Sequence, residues 1–256
     1  MSIKVIHNKK LDLKIPEFSC DGSLNENLEK YPMLQNLNGF KFTIIIGKPG
    51  MGKTSMLTSW LTGKSENKIF RKVFDNVVAV MPTTSRASMK KNIFKNHPDE
   101  KLFDELNNSS ISAITFMLED ASKDKKTTLL ILDDVGASLK QNSIQTQLKK
   151  IIYNRRHLKV HIILLLQSFI SCPREVRKLV NNVVMFKPSK TEAIALFDEL
   201  FETNKDDTMK LMRFAYKDPH DYLFLNVSNQ RIFQNYDEII LKNNNLDYDI
   251  DDSEDS

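Results

Sequence analysis

The sequence predicts an α/β fold: a mostly parallel, twisted central sheet with helices on both faces. Three observations lead there. Apolar runs of strand length, nearly continuous in Val, Ile and Leu, alternate with segments of helical spacing, the pattern of a parallel sheet buried on both sides. One such run is followed by Gly47-Lys48-Pro49-Gly50-Met51-Gly52-Lys53-Thr54, a complete G-x-x-x-x-G-K-[ST] phosphate loop. Another, Thr127-Thr128-Leu129-Leu130-Ile131-Leu132, ends in Asp133-Asp134.

In chain order, residues 1–36 read as an N-terminal extension, with partly alternating apolar positions from Ile3 to Ile15 and then a polar stretch around Cys20, Gly22 and Asn25. Phe40 to Ile46 reads as the first core strand, and Lys53 to Leu61 as the first helix, closed by Gly63. Val73 to Met81 is a valine-rich strand stopped by Pro82, and Ser88 to Asn96 reads as a helix. A short strand is expected at Ile111 to Phe116 and an apolar strand at Thr127 to Asp133. Ser143 to Arg155 has helical spacing through Ile144, Leu148, Ile151 and Ile152, and Val160 to Gln167 is another buried strand. Pro173 opens a helix to Asn181, as proline suits a first helical turn. A short strand at Val183 to Phe186 precedes helices at Lys190 to Glu202 and Asp206 to Tyr216. Tyr222 to Val227 and Arg231 to Asn235 read as a hairpin about Ser228-Asn229-Gln230. The catalytic unit is expected to span residues 37–243, with an acidic, disordered tail at 244–256.

The 256 residues suffice for one large α/β domain, and 41% hydrophobic with 27% charged residues is a globular composition. No apolar run approaches the ~20 residues that span a bilayer, and the first residues lack the apolar stretch of a secretory signal. Two cysteines exclude a disulfide scaffold and favour a reducing compartment. Net charge is +4, but the last ten residues carry six acidic groups and no Lys or Arg. The remainder holds 37 basic against 27 acidic groups, which suits either a polyanionic partner or ordinary solvated lysine.

The chemistry concentrates around the loop. Gly47, Gly50 and Gly52 let the backbone turn and aim N–H groups at an anion, and the following helix, with Ser55 in its first turn, adds its positive dipole end. Lys53 is placed to reach the terminal phosphates of a nucleotide and Thr54 to ligate Mg²⁺. Ligands of an open parallel sheet sit beyond the carboxyl ends of its strands. Asp133 is therefore expected at the metal and Asp134 at the attacking water. Gln167 ends the next strand and is either a sensor of the γ-phosphate or a polar strand terminus. Arg155 and Arg156 are either arginines that stabilise phosphoryl transfer, supplied to a neighbouring subunit, or cations answering a helix dipole. Arg174 and Arg177 face nucleic acid, a subunit interface or solvent. His157 and His161 straddle a helix–strand break, so zinc is not expected, and Trp60 reads as core.

The ordered set of phosphate loop, Asp133-Asp134, Arg156-His157, Gln167 and Arg174/Arg177 resembles the FtsK–HerA superfamily of DNA-pumping P-loop ATPases. Within it the likeness is to the poxvirus-type genome-packaging ATPases of large DNA viruses and virophages, over roughly Phe40 to Phe186. The resemblance implies a RecA/FtsK–HerA-like core, ATP with Mg²⁺, a homo-oligomeric ring (often a hexamer), threaded double-stranded DNA and docking at a capsid vertex. It places the protein in the cytoplasmic viral factory and in the virion. By matching position, Lys53 and Thr54 bind phosphate and metal, Asp133 serves the metal, Asp134 is the catalytic acid, Gln167 the sensor, and Arg155 or Arg156 acts on a neighbour's nucleotide. A helicase-like remodelling ATPase, a nucleoside or nucleotide kinase, and a protein that binds nucleotide without turnover are the alternatives.

Overall fold

The computed structural model describes residues 24, 28, 31–64, 69–87, 89 and 92–240. The expected Ile3–Ile15 segment, Cys20 and the acidic tail lie outside the described residues. In chain order the elements are α1 (Pro32–Gln35), β1 (Phe42–Ile46), α2 (Lys53–Thr62), β2 (Asn76–Val80), α3 (Thr83–Ala87), β3 (Leu102–Phe103) and α4 (Asn108–Lys123). Then follow β4 (Thr128–Asp133), α5 (Asn142–Tyr153), β5 (Val160–Leu166), α6 (Arg174–Arg177), β6 (Asn182–Phe186), α7 (Lys190–Phe201) and α8 (Lys205–Ala215). The last elements among the described residues are β7 (Tyr222–Asn226), β8 (Arg231–Gln234) and β9 (Asp237–Ile239).

Among the described residues one sheet takes all nine strands, in the order β3-β2-β4-β5-β1-β6-β7-β8-β9. Strands β3 through β6 run parallel, and β7, β8 and β9 add an antiparallel end. Alternate strand residues face two cores. Ile44, Leu130, Ile162 and Leu164 meet the apolar stripes of α4, α5, α7 and α8. Ile45, Ile131, Ile163 and Leu165 meet α1, α2 and Trp60 on the other face. The expected parallel sheet with helices on both faces is the observed one, and Trp60 is core.

Three expected elements differ. Ile111–Phe116 is not a strand but lies within α4. The Asn107 side chain accepts from the Ser110 N–H at 2.9 Å, and the Ser110 hydroxyl accepts from the Asn107 N–H at 2.8 Å. That reciprocal cap starts a helix whose buried Ile111, Ile114 and Leu118 keep helical spacing, which a six-residue window conceals. Of the helix expected at Ser88–Asn96, residues 88, 90 and 91 lie outside the described residues; the others are not helical, with a turn at 93–96 and the short α3 before the span. The helix from Pro173 is also shorter and ends at Arg177. Asn181 is needed at the sheet, where its side chain accepts from the Phe42 N–H at 2.9 Å.

Residues just before β1 are fastened by buried amides. Asn182 Nδ2 donates to the Asn36 carbonyl at 2.8 Å, and Asn226 Nδ2 donates to Asn36 Oδ1 at 2.7 Å. Since buried amides are costly unless paired, this cluster fixes where the chain enters β1. His161, within β5, is fully buried, with Nδ1 3.0 Å from the Gly39 carbonyl and no partner for Nε2 among the described residues. Burial lowers its pKa to about 4, against the Gly39 bond, which raises it.

A base whose folded pKa is depressed stabilises the fold above its unfolded pKa and loses that stability as pH falls toward the folded value. Between pH 6.5 and 4 the protein should therefore lose about 3 kcal/mol through His161. Urea unfolding across that window checks this: His161→Gln should flatten the slope, and an equally steep slope would refute the assignment.

Candidate active site

The parallel ladder carries three chain segments to one edge. Ile46 pairs with Leu166, and Asp133 with Leu165, so β5 stands between the strand that feeds the glycine loop and the strand that ends in acid. The Gly47 N–H extends the β1–β5 ladder by donating to the Leu166 carbonyl at 3.1 Å. Beyond this edge opens a cleft of about 1050 Å³. Pro49, Gly50, Lys53, Thr54 and Ser55 line it from the loop side, and Asp133, Asp134 and Gln167 line it opposite. The residues predicted from separate parts of the sequence thus meet around one space.

The loop needs glycine for two reasons. Gly52 has φ +107°, which side chains rarely adopt, and a Cβ there would lie 3.4 Å from His220 Nδ1 and 3.5 Å from the Phe186 ring. Gly47 packs so closely on β6 that a Cβ would come 3.0 Å from Phe186 Cβ. Gly52 also caps α2, the polar side of which, with Ser55, Thr58 and Ser59, forms a wall of the cleft. The unmatched N–H groups of that first turn and the helix dipole make the cradle electropositive.

Lys53 Nζ rests on the loop, donating to the carbonyls of Gly47 at 2.5 Å and Lys48 at 3.2 Å. Burial lowers its pKa, while Asp133 and Asp134 pull the other way. Asp133 is pushed up to about 6, chiefly by burial and further by Asp134, although Lys53 and the Asp134 N–H favour its charged form. The cleft therefore holds a carboxylate whose desolvation its own lysine does not fully offset. Asp134 is exposed and has φ +55°, a left-handed conformation that aspartate tolerates better than most residues. A concave space with a cationic loop on one side and carboxylates on the other suits a polyphosphate that carries a divalent cation.

The arginines fall elsewhere. Arg155 lies at the opposite end of the sheet, where Nε donates to the Phe40 carbonyl at 2.9 Å and Nη1 to the Ile152 carbonyl at 3.0 Å. The length of β1, roughly 17 Å, separates this turn from the loop. Arg156 is exposed at the same turn. Arg174 is exposed on α6, whereas Arg177 is not a surface contact residue. It pairs with Glu199 at 2.7 Å and also donates to the Cys172 carbonyl at 3.2 Å. That pair, with the Phe169 N–H donating to Glu192 at 3.1 Å, holds the segment after Gln167 against α7. No cluster of three or more metal-binding His, Cys, Asp or Glu occurs among the described residues, and no helix there is long and apolar enough to cross a membrane.

Sequence reasoning missed Phe186, His220 and Tyr222. Phe186 ends the stretch that carried motifs and the other two come from beyond it, and they reach the back of the loop: His220 Nδ1 donates to the Met51 carbonyl at 3.1 Å. The Lys217-Asp218-Pro219-His220-Asp221 run signals a turn, but nothing in it names the turn's destination.

The chain matches the family described as Poxvirus A32 protein over residues 30–253. Solved structures share its fold at low identity. The genome packaging NTPase B204 from Sulfolobus turreted icosahedral virus 2, in complex with ATP-gammaS, aligns with TM-score 0.57 and 14% identity. The alignment covers 78% of this chain and 98% of that one. B204 described as the DNA-packaging ATPase from Sulfolobus turreted icosahedral virus aligns with TM-score 0.53 at 14% identity, with the same coverage. No curated protein sequence matches.

Gly52→Ala should cost about 1–3 kcal/mol of stability, because the +107° conformation is strained for alanine. Urea unfolding, read beside tripolyphosphate binding by calorimetry, should register both the loss of stability and weaker anion capture.

Proposed function

The chain belongs to the Poxvirus A32 protein family, and from that membership and the cleft we propose that it is an ATP-driven double-stranded DNA translocase that packages a viral genome into a preformed capsid. One observation carries the reading. Lys53 and Thr54 share a single cleft with Asp133, Asp134 and Gln167, the set that ATP hydrolysis needs. B204 supports it further, since it has the same fold and is described as a packaging enzyme with ATP-gammaS bound.

In this reading the loop N–H groups and Lys53 hold the β- and γ-phosphates. Thr54 and Asp133 would hold Mg²⁺, and the donor set fits that ion. Mg²⁺ keeps most of its coordination sphere for water and phosphate oxygens and takes only one or two protein ligands. The buried, incompletely compensated Asp133 carboxylate is a suitable one. When bound, the ion would neutralise charge developing on the phosphate oxygens. Asp134 accepts a hydrogen bond from the attacking water and orients it, its shorter side chain holding the water near the backbone. The water oxygen bonds to the γ-phosphorus as the bond to the β–γ bridging oxygen breaks, releasing ADP and phosphate, with the proton passing to Asp134 or solvent. Gln167 donates to the γ-phosphate and accepts from the water, so its contacts change when the phosphate leaves.

The arginine that completes the site comes from a neighbouring copy in a ring, in which a hexamer is one arrangement. Arg155 and Arg156, adjacent at the turn after α5, are the two candidates. Residues 37–243 make up the ATPase domain. The excess of basic groups over the body of the chain grips DNA through its phosphates without reading sequence. The ring works at a capsid vertex in the cytoplasmic viral factory.

Duplex DNA should stimulate ATP hydrolysis, and Lys53→Ala should abolish it. Asp134→Asn should lower kcat by about 100-fold or more while ATP binding persists. Steady-state turnover and equilibrium binding measure these. Strand separation would favour a helicase, and phosphate transfer to a nucleoside without DNA a kinase.

A further inference from the structure

Gln167 lies just past the end of β5, so its position depends on the segment that follows, residues 168–173, before α6 begins. Ser168 and Ser171 of that segment line the cleft beside it. On the side away from the cleft, three charged side chains hold the segment.

Phe169, 1% exposed, is the point they hold. Its N–H donates to Glu192 Oε1 at 3.1 Å, and its carbonyl accepts from Arg177 Nη1 at 3.5 Å. The Arg177 guanidinium also lies 4.7 Å from the centre of the Phe169 ring and donates to the Cys172 carbonyl at 3.2 Å. Glu199 orients that guanidinium: Nε is 3.0 Å from both carboxylate oxygens, and Nη2 is 2.7 Å from one of them. Both side chains of the pair are largely buried. Glu192 and Glu199 are seven residues apart on α7, so they share one face of that helix. Packing alone does not call for such a cluster, because apolar side chains of similar length fill such a site without desolvating ions. Here two carboxylates and an arginine are directed at the backbone of one short segment.

We propose that Glu192 and Arg177 are positioning residues for Gln167, resting on the ATPase reading above. Neither lines the cleft. Each acts through the backbone of Phe169, two residues from Gln167, and together they tie the end of β5 to α7. The Gln167 amide has to donate to the γ-phosphate and accept from the attacking water at once, which sets a narrow range of positions. A misplacement on the order of 1 Å is enough to slow the chemical step. Loss of either anchor therefore lowers turnover more than it lowers ATP affinity, since the phosphate loop, which binds the nucleotide, is untouched.

The test is a kinetic double-mutant cycle on the full chain with ATP, Mg²⁺ and duplex DNA, reading kcat beside equilibrium ATP affinity. Glu192→Ala should lower kcat about tenfold while ATP affinity stays within about twofold. Glu192→Gln keeps an acceptor oxygen for the Phe169 N–H and should recover most of that loss. The double variant Arg177→Met/Glu199→Met replaces the buried ions with apolar side chains. It should unfold in urea no earlier than the parent and still lose kcat about tenfold, because the Phe169 and Cys172 carbonyls have lost their donor. In a Gln167→Ala background neither change should lower kcat further, since both act through that amide. A merely structural role gives the same fractional loss in both backgrounds, and that result overturns the proposal. So does parental kcat in Glu192→Ala, or a Glu192→Gln variant as slow as Glu192→Ala. Parental kcat in Gln167→Ala overturns the role of Gln167 itself and this proposal with it, whereas hydrolysis that persists in Lys53→Ala overturns the ATPase reading.

Discussion

The arrangement depends on the position of β5 between β1 and β4. Parallel pairing of Ile46 with Leu166 and of Asp133 with Leu165 brings the ends of three strands level. Side-chain direction alternates along a strand, so a slip of one residue would turn Asp133 toward the opposite core. Register is therefore a functional quantity here. It is held by the apolar side chains of β1, β4 and β5, which are buried on both faces. The amide cluster of Asn36, Asn182 and Asn226 then fixes the entry to β1 from the other end.

With register set, the electrostatics follow from burial. Lys53 and Asp133 face one space that is too dry for either to be fully comfortable as an ion. Their attraction does not remove the cost, since Asp134 repels Asp133 and the lysine is also engaged by loop carbonyls. A metal-bound triphosphate would supply an anion for the lysine and a cation for the carboxylate together. Part of the favourable free energy of binding then comes from relieving a mismatch already present in the protein. The left-handed turn at Asp134 belongs to the same economy of placement, because it keeps the second carboxylate beside the first instead of on the far face.

The phosphate loop, the acid-bearing strand and the Gln167 strand were legible because each is local: a short motif or an apolar run with a polar end. The structure brings them together as the strand-end rule for parallel sheets requires. What was not legible depended on contacts distant in sequence. Ile111–Phe116 reads as a strand until the Asn107–Ser110 cap is seen to start a helix. Arg177 reads as a surface cation until Glu199, 22 residues later, takes it into a buried pair. Arg155 reads as a helix-end cation until its guanidinium is seen to donate to the carbonyl of Phe40, 115 residues earlier.

The antiparallel end of the sheet gives this last point its force. β7, β8 and β9 carry no motif, yet reversing the chain direction after β6 puts the start of β7 beside the end of β6. Phe186 and Tyr222 are paired across that junction, at the same edge as the glycine loop. A parallel strand in the place of β7 would bring its end, not its beginning, to this edge, and the turn with His220 would lie at the far side of the sheet. The switch from parallel to antiparallel pairing thus closes the loop from behind with residues from the last third of the chain. The hydrogen bond between His220 and Met51 gives the loop a direct contact with that segment. This contact joins the glycine loop to the antiparallel end of the sheet, on the side of β1 away from the carboxylates of β4.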